Sequence, residues 1–228
     1  MKKRTKTLPA IITGVAILIG GIWLINESRY PNVPAFDDHF TRKFLNKDKK
    51  VDDGFYEFKS KTGQYTMWFP EEYQLLHENE QQYVKSDNFY ERWKASSVKK
   101  HKKGNQLNYL QVKLSESNPD DESIYIESLF KGEFGANDPE KWETANTRIY
   151  FDAAYLYFKG TEEHVIHDKN KHAPNTYIGY VADKHSNKVI ELWFDDSLNH
   201  QTNEGLEKRE WFVEILNSIR FNQGNSST

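Results

Sequence analysis

The sequence predicts an α+β protein in which helices pack on an antiparallel β-sheet, preceded by a single N-terminal transmembrane helix. Residues 8–25 form one apolar run in a chain of 228 residues whose mean hydropathy is −0.86. The chain contains 6 Trp, 13 Tyr and 14 Phe, and many of them lie in short β-rich runs between polar turns, which is typical of strands. Two segments have the period of an amphipathic helix, so helices covering a sheet are the predicted architecture.

The N-terminus has the pattern of a signal anchor. Residues 1–7 form a basic tip with three lysines and one arginine, and residues 8–25 are almost wholly apolar. Eighteen helical residues rise about 27 Å, close to the hydrocarbon thickness of a bilayer. Because basic residues stay on the cytoplasmic side, we expect a single-pass cell-membrane protein with a cytoplasmic N-terminus and an extracytoplasmic C-terminal domain. The lipid bilayer is then the partner of residues 8–25.

A cleaved signal peptide is the alternative for this segment. Val33, Pro34 and Ala35 would form the small-residue cleavage site, although they lie well beyond the apolar run, which is itself longer than in most signal peptides. Both interpretations export the rest of the chain.

The composition excludes several classes of protein. The sequence has no cysteine, which excludes a disulfide-stapled domain, a zinc site with cysteine ligands, a cysteine nucleophile and a lipoprotein anchored through cysteine. Without the four basic residues of the tip, 27 Lys and Arg remain against 34 Asp and Glu, a formal charge of −7. This acidic body argues against nucleic acid as a partner, because phosphate binding needs a basic face.

Turn residues and charge runs divide the exported part. Residues 26–53 contain two prolines and a charged run, and we expect them to form an extracytoplasmic stalk. Residues 54–221 are predicted to form one α+β globular domain, and residues 222–228 a disordered tail.

Eight runs in this domain have the composition of strands. Their short polar connections favour an antiparallel sheet over parallel strands joined by crossover helices. The runs are residues 55–58, 65–69, 89–98, 108–114, 148–151, 154–159, 177–182 and 188–194.

Two segments are predicted to be helices. Residues 120–131 begin with three acidic residues and end before Gly132, which are favourable start and stop signals. Residues 204–218 form the body of the second helix, whose apolar residues follow the spacing i, i+3, i+4, i+7. These apolar residues are Phe212, Ile215, Leu216 and Ile219.

The order of these elements is informative about the family. An early hairpin runs into Phe69-Pro70-Glu71-Glu72-Tyr73, a middle helix follows, and a late meander closes on residues 211–221. This order resembles the PsbP/Mog1-like fold group, and small exported proteins of Gram-positive-type bacteria are similar to it. The resemblance covers residues 54–221 and rests on packing motifs. It implies a binding or assembly role rather than catalysis, and it assigns no functional residue.

The densest cluster of potential metal ligands lies at residues 162–172. His164, His167, Asp168 and His172 are the candidate ligands, because imidazole and carboxylate groups bind Zn²⁺ and other divalent ions. On a strand, however, His164 and His167 would point to opposite faces, so a charged and solvated hairpin without metal is the alternative. No other cofactor is predicted.

A second cluster is basic. Lys99, Lys100, Lys102 and Lys103 lie on a predicted hairpin tip, where they are candidates for contact with anionic wall polymer or lipid. A solvated turn is the alternative. Further along, Asp195-Asp196 is a candidate acid pair, although adjacent carboxylates are more typical of a loop or a helix cap.

Aromatic residues on the predicted strands have two interpretations. Most are expected to fill one face of the core, whereas the others would form a surface that stacks on wall sugars or binds a partner. They are Tyr56, Tyr65, Trp68, Tyr90, Trp93, Tyr155, Tyr157 and Trp193.

No catalytic motif of the G-x-S-x-G, H-E-x-x-H or G-x-G-x-x-G type is present, and no catalytic residue is predicted. The sequence therefore predicts a membrane-anchored, extracytoplasmic binding or assembly module of the bacterial envelope, whose partner is an envelope protein or a wall polymer. The alternative is a divalent-metal-dependent binding protein or hydrolase that uses the 162–172 cluster.

Overall fold

A computed structural model describes residues 28–97, 108–135, 138–168, 171–196 and 204–222. In these ranges the helices are α1 (Pro34–Asp37), α2 (Glu122–Phe134) and α3 (Glu204–Ser218), with 3-10 turns at Thr41–Lys43 and Pro119–Asp121. The strands are β1 (Leu45–Asp52), β2 (Phe55–Lys59), β3 (Tyr65–Pro70), β4 (Tyr73–Leu75), β5 (Tyr83–Ser86), β6 (Tyr90–Ser97), β7 (Tyr109–Glu116), β8 (Glu140–Glu143), β9 (Thr147–Lys159), β10 (Glu162–Ile166), β11 (Thr176–Asp183), β12 (Lys188–Asp195) and β13 (Arg220–Phe221).

These strands form two sheets. The smaller has the order β1-β2-β3-β13, and the larger has the order β10-β9-β11-β12-β7-β6-β4, with β5 also paired to β6 and β8 also paired to β9. Every strand pairing in the described ranges is antiparallel. The protein is thus a β-rich α+β fold, as the short polar connections predicted.

The larger sheet is covered on both faces. The smaller sheet and α3 pack on one face around the main core, and α2 packs on the other around a second, smaller core. Successive side chains of strand β9 alternate between the two cores. Phe151 and Ala153 point into the main core, whereas Tyr150 and Ala154 point towards α2. The predicted apolar stripe of α3 is confirmed, since all four of its residues have no exposed surface.

The predicted stalk differs from the structure. Its described residues fold against the domain as α1, a 3-10 turn and β1, and Phe36 and Phe44 are buried. The ring of Phe44 stacks on Phe58 with centroids 5.4 Å apart. Strand β1 was not predicted from the sequence. It is a charged edge strand, and it lacks the apolar alternation of strands that are paired on both sides.

Two element boundaries also differ from the sequence prediction. The two predicted strands at 148–151 and 154–159 are one continuous strand, β9. Helix α2 passes through Gly132 and ends at Gly135, whose φ of 68° is the left-handed conformation that commonly terminates helices.

The predicted transmembrane segment, residues 8–25, lies outside the described residues. Within the described ranges no helix has the length and apolar character needed to cross a membrane.

Candidate functional site

One concavity on the α2 side of the larger sheet is a groove of about 690 Å³, here called the outer groove. Its floor consists of side chains from neighbouring strands, and its walls come from the end of α2 and the loop between β4 and β5. The described lining residues are Leu76, Asn79, Gln81, Gln82, Lys94, Tyr109, Gln111, Glu133, Leu156, Thr176, Trp193 and Asp195.

Strand register builds the floor of the outer groove from two cross-strand rows. In the first row Gln111 of β7 pairs with Lys94 of β6 on one side and with Trp193 of β12 on the other. In the second row Asp195 of β12 pairs with Tyr109 of β7 and with Thr176 of β11. Directly opposed side chains in antiparallel strands have Cβ atoms about 5 Å apart, so each row is a contiguous surface.

Two acidic groups face each other across this floor. Burial and the charges of Glu163 and Asp195 raise the pKa of Glu133, while a hydrogen bond with Trp193 opposes the increase. Desolvation within the groove likewise raises the pKa of Asp195, against the charge of Lys94. The groove therefore combines an indole ring, a phenol ring, four amide groups, an ammonium group and two carboxyl groups whose pKa values are raised.

The candidate acid pair is divided between two faces of the sheet. Asp195 points into the outer groove, whereas Asp196 is 2% exposed and lies on the side of the main core, 3.9 Å from Nζ of Lys208. Strand alternation separates adjacent residues in this way, so the two carboxylates do not act on one bond.

The predicted metal ligands lie on and beside the β9–β10 hairpin, where the structure separates two of the imidazoles. The His172 ring stacks on Tyr155 with centroids 4.7 Å apart, and the His164 ring stacks on Tyr157 with centroids 5.0 Å apart. The two tyrosine rings are themselves neighbours, at 6.0 Å. The histidines thus occupy opposite ends of one row of rings.

The other two predicted ligands have different neighbours. His167 donates from Nε2 to the carbonyl oxygen of Phe134, across 3.0 Å, and so satisfies an end group of α2. Asp168 forms an ion pair of 3.4 Å with Lys171. In the part of the chain that the structure describes, no group of three or more His, Cys, Asp or Glu side chains is arranged to hold a metal ion.

The basic tip, with Lys99, Lys100, Lys102 and Lys103, lies outside the described residues. Some of the aromatic residues on the predicted strands lie in the core, and others lie at the surface. Tyr56, Tyr65 and Trp93 are buried, whereas Trp193 lines the outer groove and Tyr157 is 38% exposed on the hairpin.

Of the lining residues of the outer groove, the sequence analysis named only Trp193 and Asp195 as candidates. Lys94, Gln111 and Glu133 are ordinary polar residues, and no short motif includes them. The alternation of polar with apolar residues along β6 and β7 indicates which side chains face outward. It does not indicate which of them become cross-strand neighbours, because that depends on the register of non-adjacent strands.

Neither the curated proteins nor the solved structures gave a match. The family model YvcA_Mog1p, described as "Putative lipoprotein YvcA", matches residues 31–220, a range that includes the folded segment before β2 and extends to β13. The match agrees with the Mog1-like fold group that the order of elements indicated. With most of its length matched, the chain belongs to the YvcA_Mog1p family.

Proposed function

We propose that this protein is a membrane-anchored, extracytoplasmic binding module whose outer groove holds a segment of envelope glycan. The observation that supports this most directly is the pair of cross-strand rows, which places Trp193 and Tyr109 beside Gln111, Asp195 and Lys94 on one surface.

The chemistry of this surface suits a sugar chain. The apolar faces of sugar rings pack against indole and phenol rings, and sugar hydroxyl groups form hydrogen bonds with amide and carboxyl groups. Tyr109 is 39% exposed, so its ring is available to a ligand without displacing any core residue. Glu133 and Asp195 add carboxyl oxygen atoms that can accept hydrogen bonds from sugar hydroxyl groups.

The proposed anchor is the apolar segment, residues 8–25. The family description names a lipoprotein, but the sequence has no cysteine to which a lipid could be attached. Residues 8–25 have the length and apolarity for one bilayer crossing, and the basic tip would remain in the cytoplasm.

Glycan binding is tested with the full-length chain in phosphatidylcholine nanodiscs and tetra-N-acetylchitotetraose as the probe. We expect saturable binding by calorimetry, and Tyr109→Ala should weaken it at least about fivefold through the loss of stacking. Tyr125→Ala is the matched control, because Tyr125 is 50% exposed on α2 and outside the groove.

Two outcomes would contradict the glycan proposal. Equal binding by the Tyr109→Ala and Tyr125→Ala variants would place the sugar elsewhere. Cleavage of the tetrasaccharide, detected by mass spectrometry, would show that the protein is a hydrolase and not a non-catalytic binding module.

The anchor is tested separately by carbonate extraction and protease accessibility. We expect the intact chain, including residues 1–7, to stay in washed membranes, and the domain to be digested from outside in cells without a wall. A mature N-terminus beginning after Ala35 would show cleavage and overturn the anchor without affecting the groove.

A further inference from the structure

Basic side chains gather where the first 3-10 turn meets the β2–β3 turn, and this surface is here called the basic face. Nζ of Lys61 donates to the carbonyl oxygen of Lys43 across 2.8 Å. Lys59 lies beside them, because its backbone N–H donates to the carbonyl oxygen of the residue after Lys43. Next to Lys43, Cζ of Arg42 lies 4.4 Å from the ring centroid of Tyr30. The three lysines are exposed and Arg42 is half-buried, so the face is open to solvent.

The charges of the three lysines are not compensated within the chain. In the described ranges no carboxylate lies within ion-pair distance of Lys43, Lys59 or Lys61, whereas each of the three lysines of β1 forms an ion pair. Two carboxylates do lie nearby. Asp38 accepts hydrogen bonds from Thr41, and Glu91 has no exposed surface. The basic face therefore offers positive charge to an anionic partner outside the chain.

The length of chain between the proposed anchor and the domain identifies that partner. Residues 26–29 separate the apolar run from Tyr30, and this distance cannot exceed about 18 Å even in a fully extended chain. Tyr30 is already part of the domain, since its ring lies 6.0 Å from the buried ring of Phe36 as well as against Arg42. The polar headgroup layer takes up about 6 Å of that span. The basic face is therefore at the end of the domain nearest the bilayer.

Weak attraction is sufficient at this distance. A short tether gives the domain a high effective concentration at the bilayer surface, so docking needs little affinity of its own. An anionic bilayer attracts Lys and Arg side chains within about one Debye length, roughly 8–10 Å at physiological salt. The exported part of the chain is acidic overall, so the same bilayer repels other orientations of the domain.

We propose that the basic face docks on the anionic headgroups of the bilayer that anchors the chain. The ammonium groups of Lys43, Lys59 and Lys61 contact lipid phosphates, and Tyr30 lies at the level of the headgroups. This docking rests on the proposed function, because it requires residues 8–25 to be the anchor. Its consequence is a single orientation of the domain, which sets the height of the outer groove above the bilayer.

The proposal is tested with the full-length chain in nanodiscs that contain a headgroup-spin-labelled lipid. The chain has no cysteine, so a single introduced cysteine carries a fluorophore at a chosen position. Asn46→Cys reports from β1 beside the basic face, where Asn46 is exposed. Thr161→Cys reports from the β9–β10 hairpin, at the edge of the larger sheet opposite β4 and about 29 Å from it by strand spacing.

We expect anionic lipid to bring the basic face to the headgroups. Quenching at Asn46→Cys should be at least about twofold stronger in discs that contain phosphatidylglycerol than in phosphatidylcholine discs, and high salt should remove the difference. The Thr161→Cys label should be quenched equally weakly in both.

Variants locate the contact. Replacing all three lysines of the basic face by Gln should abolish the effect of phosphatidylglycerol, since each contributes about fivefold to the docked population, whereas replacing them by Arg should preserve it. The matched control changes three lysines at the far side of the domain to Gln and so alters the net charge equally. These control residues are Lys131, Lys159 and Lys171. Thermal unfolding establishes that each variant is folded.

Three results would overturn the proposal. Equal quenching of the Asn46→Cys label in the two kinds of disc excludes docking and leaves the anchor intact, provided that the chain elutes with the discs. Equal effects of the two Gln triple variants indicate attraction that depends only on net charge. A chain that separates from the discs refutes the anchor and, with it, the docking. Glycan binding in the outer groove is measured with a different probe and is unaffected by each result.

Discussion

Tyr83 donates a hydrogen bond of 2.9 Å from its hydroxyl group to Oε1 of Glu91, a carboxyl group with no exposed surface. The Ser60 hydroxyl also donates to this carboxylate, as does the Lys61 backbone N–H at 3.1 Å. Glu91 lies on β6 of the larger sheet, whereas Ser60 and Lys61 belong to the turn between β2 and β3 of the smaller one. The buried Glu91 side chain therefore links the two sheets by hydrogen bonds.

We expect Glu91→Ala to lower the free energy of unfolding by about 2–4 kcal/mol, because buried hydroxyl and N–H groups lose their acceptor. Urea denaturation at neutral pH measures the change, with Glu80→Ala, at an exposed position, as the control. If the two variants had equal stability, the network would contribute nothing to the association of the sheets.

Gly179 allows α3 to lie close to the larger sheet. A Cβ atom at this position would overlap with Cδ2 of Leu216, which is fully buried. We expect Gly179→Ala to destabilise the protein by about 1–3 kcal/mol, because the core has to shift to admit a methyl group. The loss should be smaller in a Leu216→Ala background, and double-mutant analysis by urea denaturation measures this coupling.

Gly132→Ala is the matched control for that substitution. Gly132 lies within α2, and an added Cβ atom would meet nothing within 4 Å. Alanine is favoured over glycine in a helix by about 1 kcal/mol, so this variant should be more stable than the parent. A stabilising Gly179→Ala change would contradict the close approach of α3.

His167 gives a test that separates a structural role from metal binding. Since its ring donates to the Phe134 carbonyl, His167→Ala should destabilise the end of α2 by about 1 kcal/mol, whether or not metal is present. We further expect zinc to leave the melting temperature of the parent unchanged. A zinc-dependent increase that is lost in His164→Ala and in His172→Ala would instead favour the metal site predicted from the sequence.

The fold was largely predictable where periodicity was strong. The stripe of α3 and the mainly apolar runs of β11 and β12 arise from burial of one helix face or of both strand faces, and this is visible in a local window. Strand β1 was missed because Lys47, Asp48, Lys49 and Lys50 resemble a flexible linker, although the buried Phe44 immediately before the strand fixes it against the domain. Edge strands contain such charges because they limit pairing with other chains.

The candidate sites were much less predictable than the fold. Tyr109 and Asp195 are far apart in the sequence and become neighbours only through the pairing of β7 with β12. By contrast, the histidine cluster was conspicuous in sequence, yet stacking on Tyr155 and Tyr157 separates two of its rings.

The start of α2 makes a pH-dependent contribution to stability. Nε of Arg148 donates to Oε1 of Glu122 at 3.0 Å, and the Tyr150 hydroxyl donates to the same atom at 3.1 Å. Burial acts to raise the pKa of Glu122, but the hydrogen bonds and charge of Arg148 outweigh it, so the pKa lies below the usual 4.5. A carboxyl group with a lowered pKa stabilises the folded state above its unfolded pKa, and this stabilisation is lost as pH falls through the folded value.

We therefore expect Glu122→Gln to be less stable than the parent at pH 7, with a difference that shrinks as pH falls below about 4.5. Urea denaturation of both proteins between pH 7 and pH 3 measures this difference. Groups that titrate in both proteins contribute equally to the two free energies of unfolding, so their contributions cancel in the difference. Glu127→Gln is the matched control, because Glu127 lies on the same helix with 59% of its side chain exposed and forms a 3.5 Å ion pair with Lys131 at the surface. Its effect should be small at every pH. A difference for Glu122→Gln that stayed constant down to pH 3 would show that the carboxylate charge is not what holds α2 to β9.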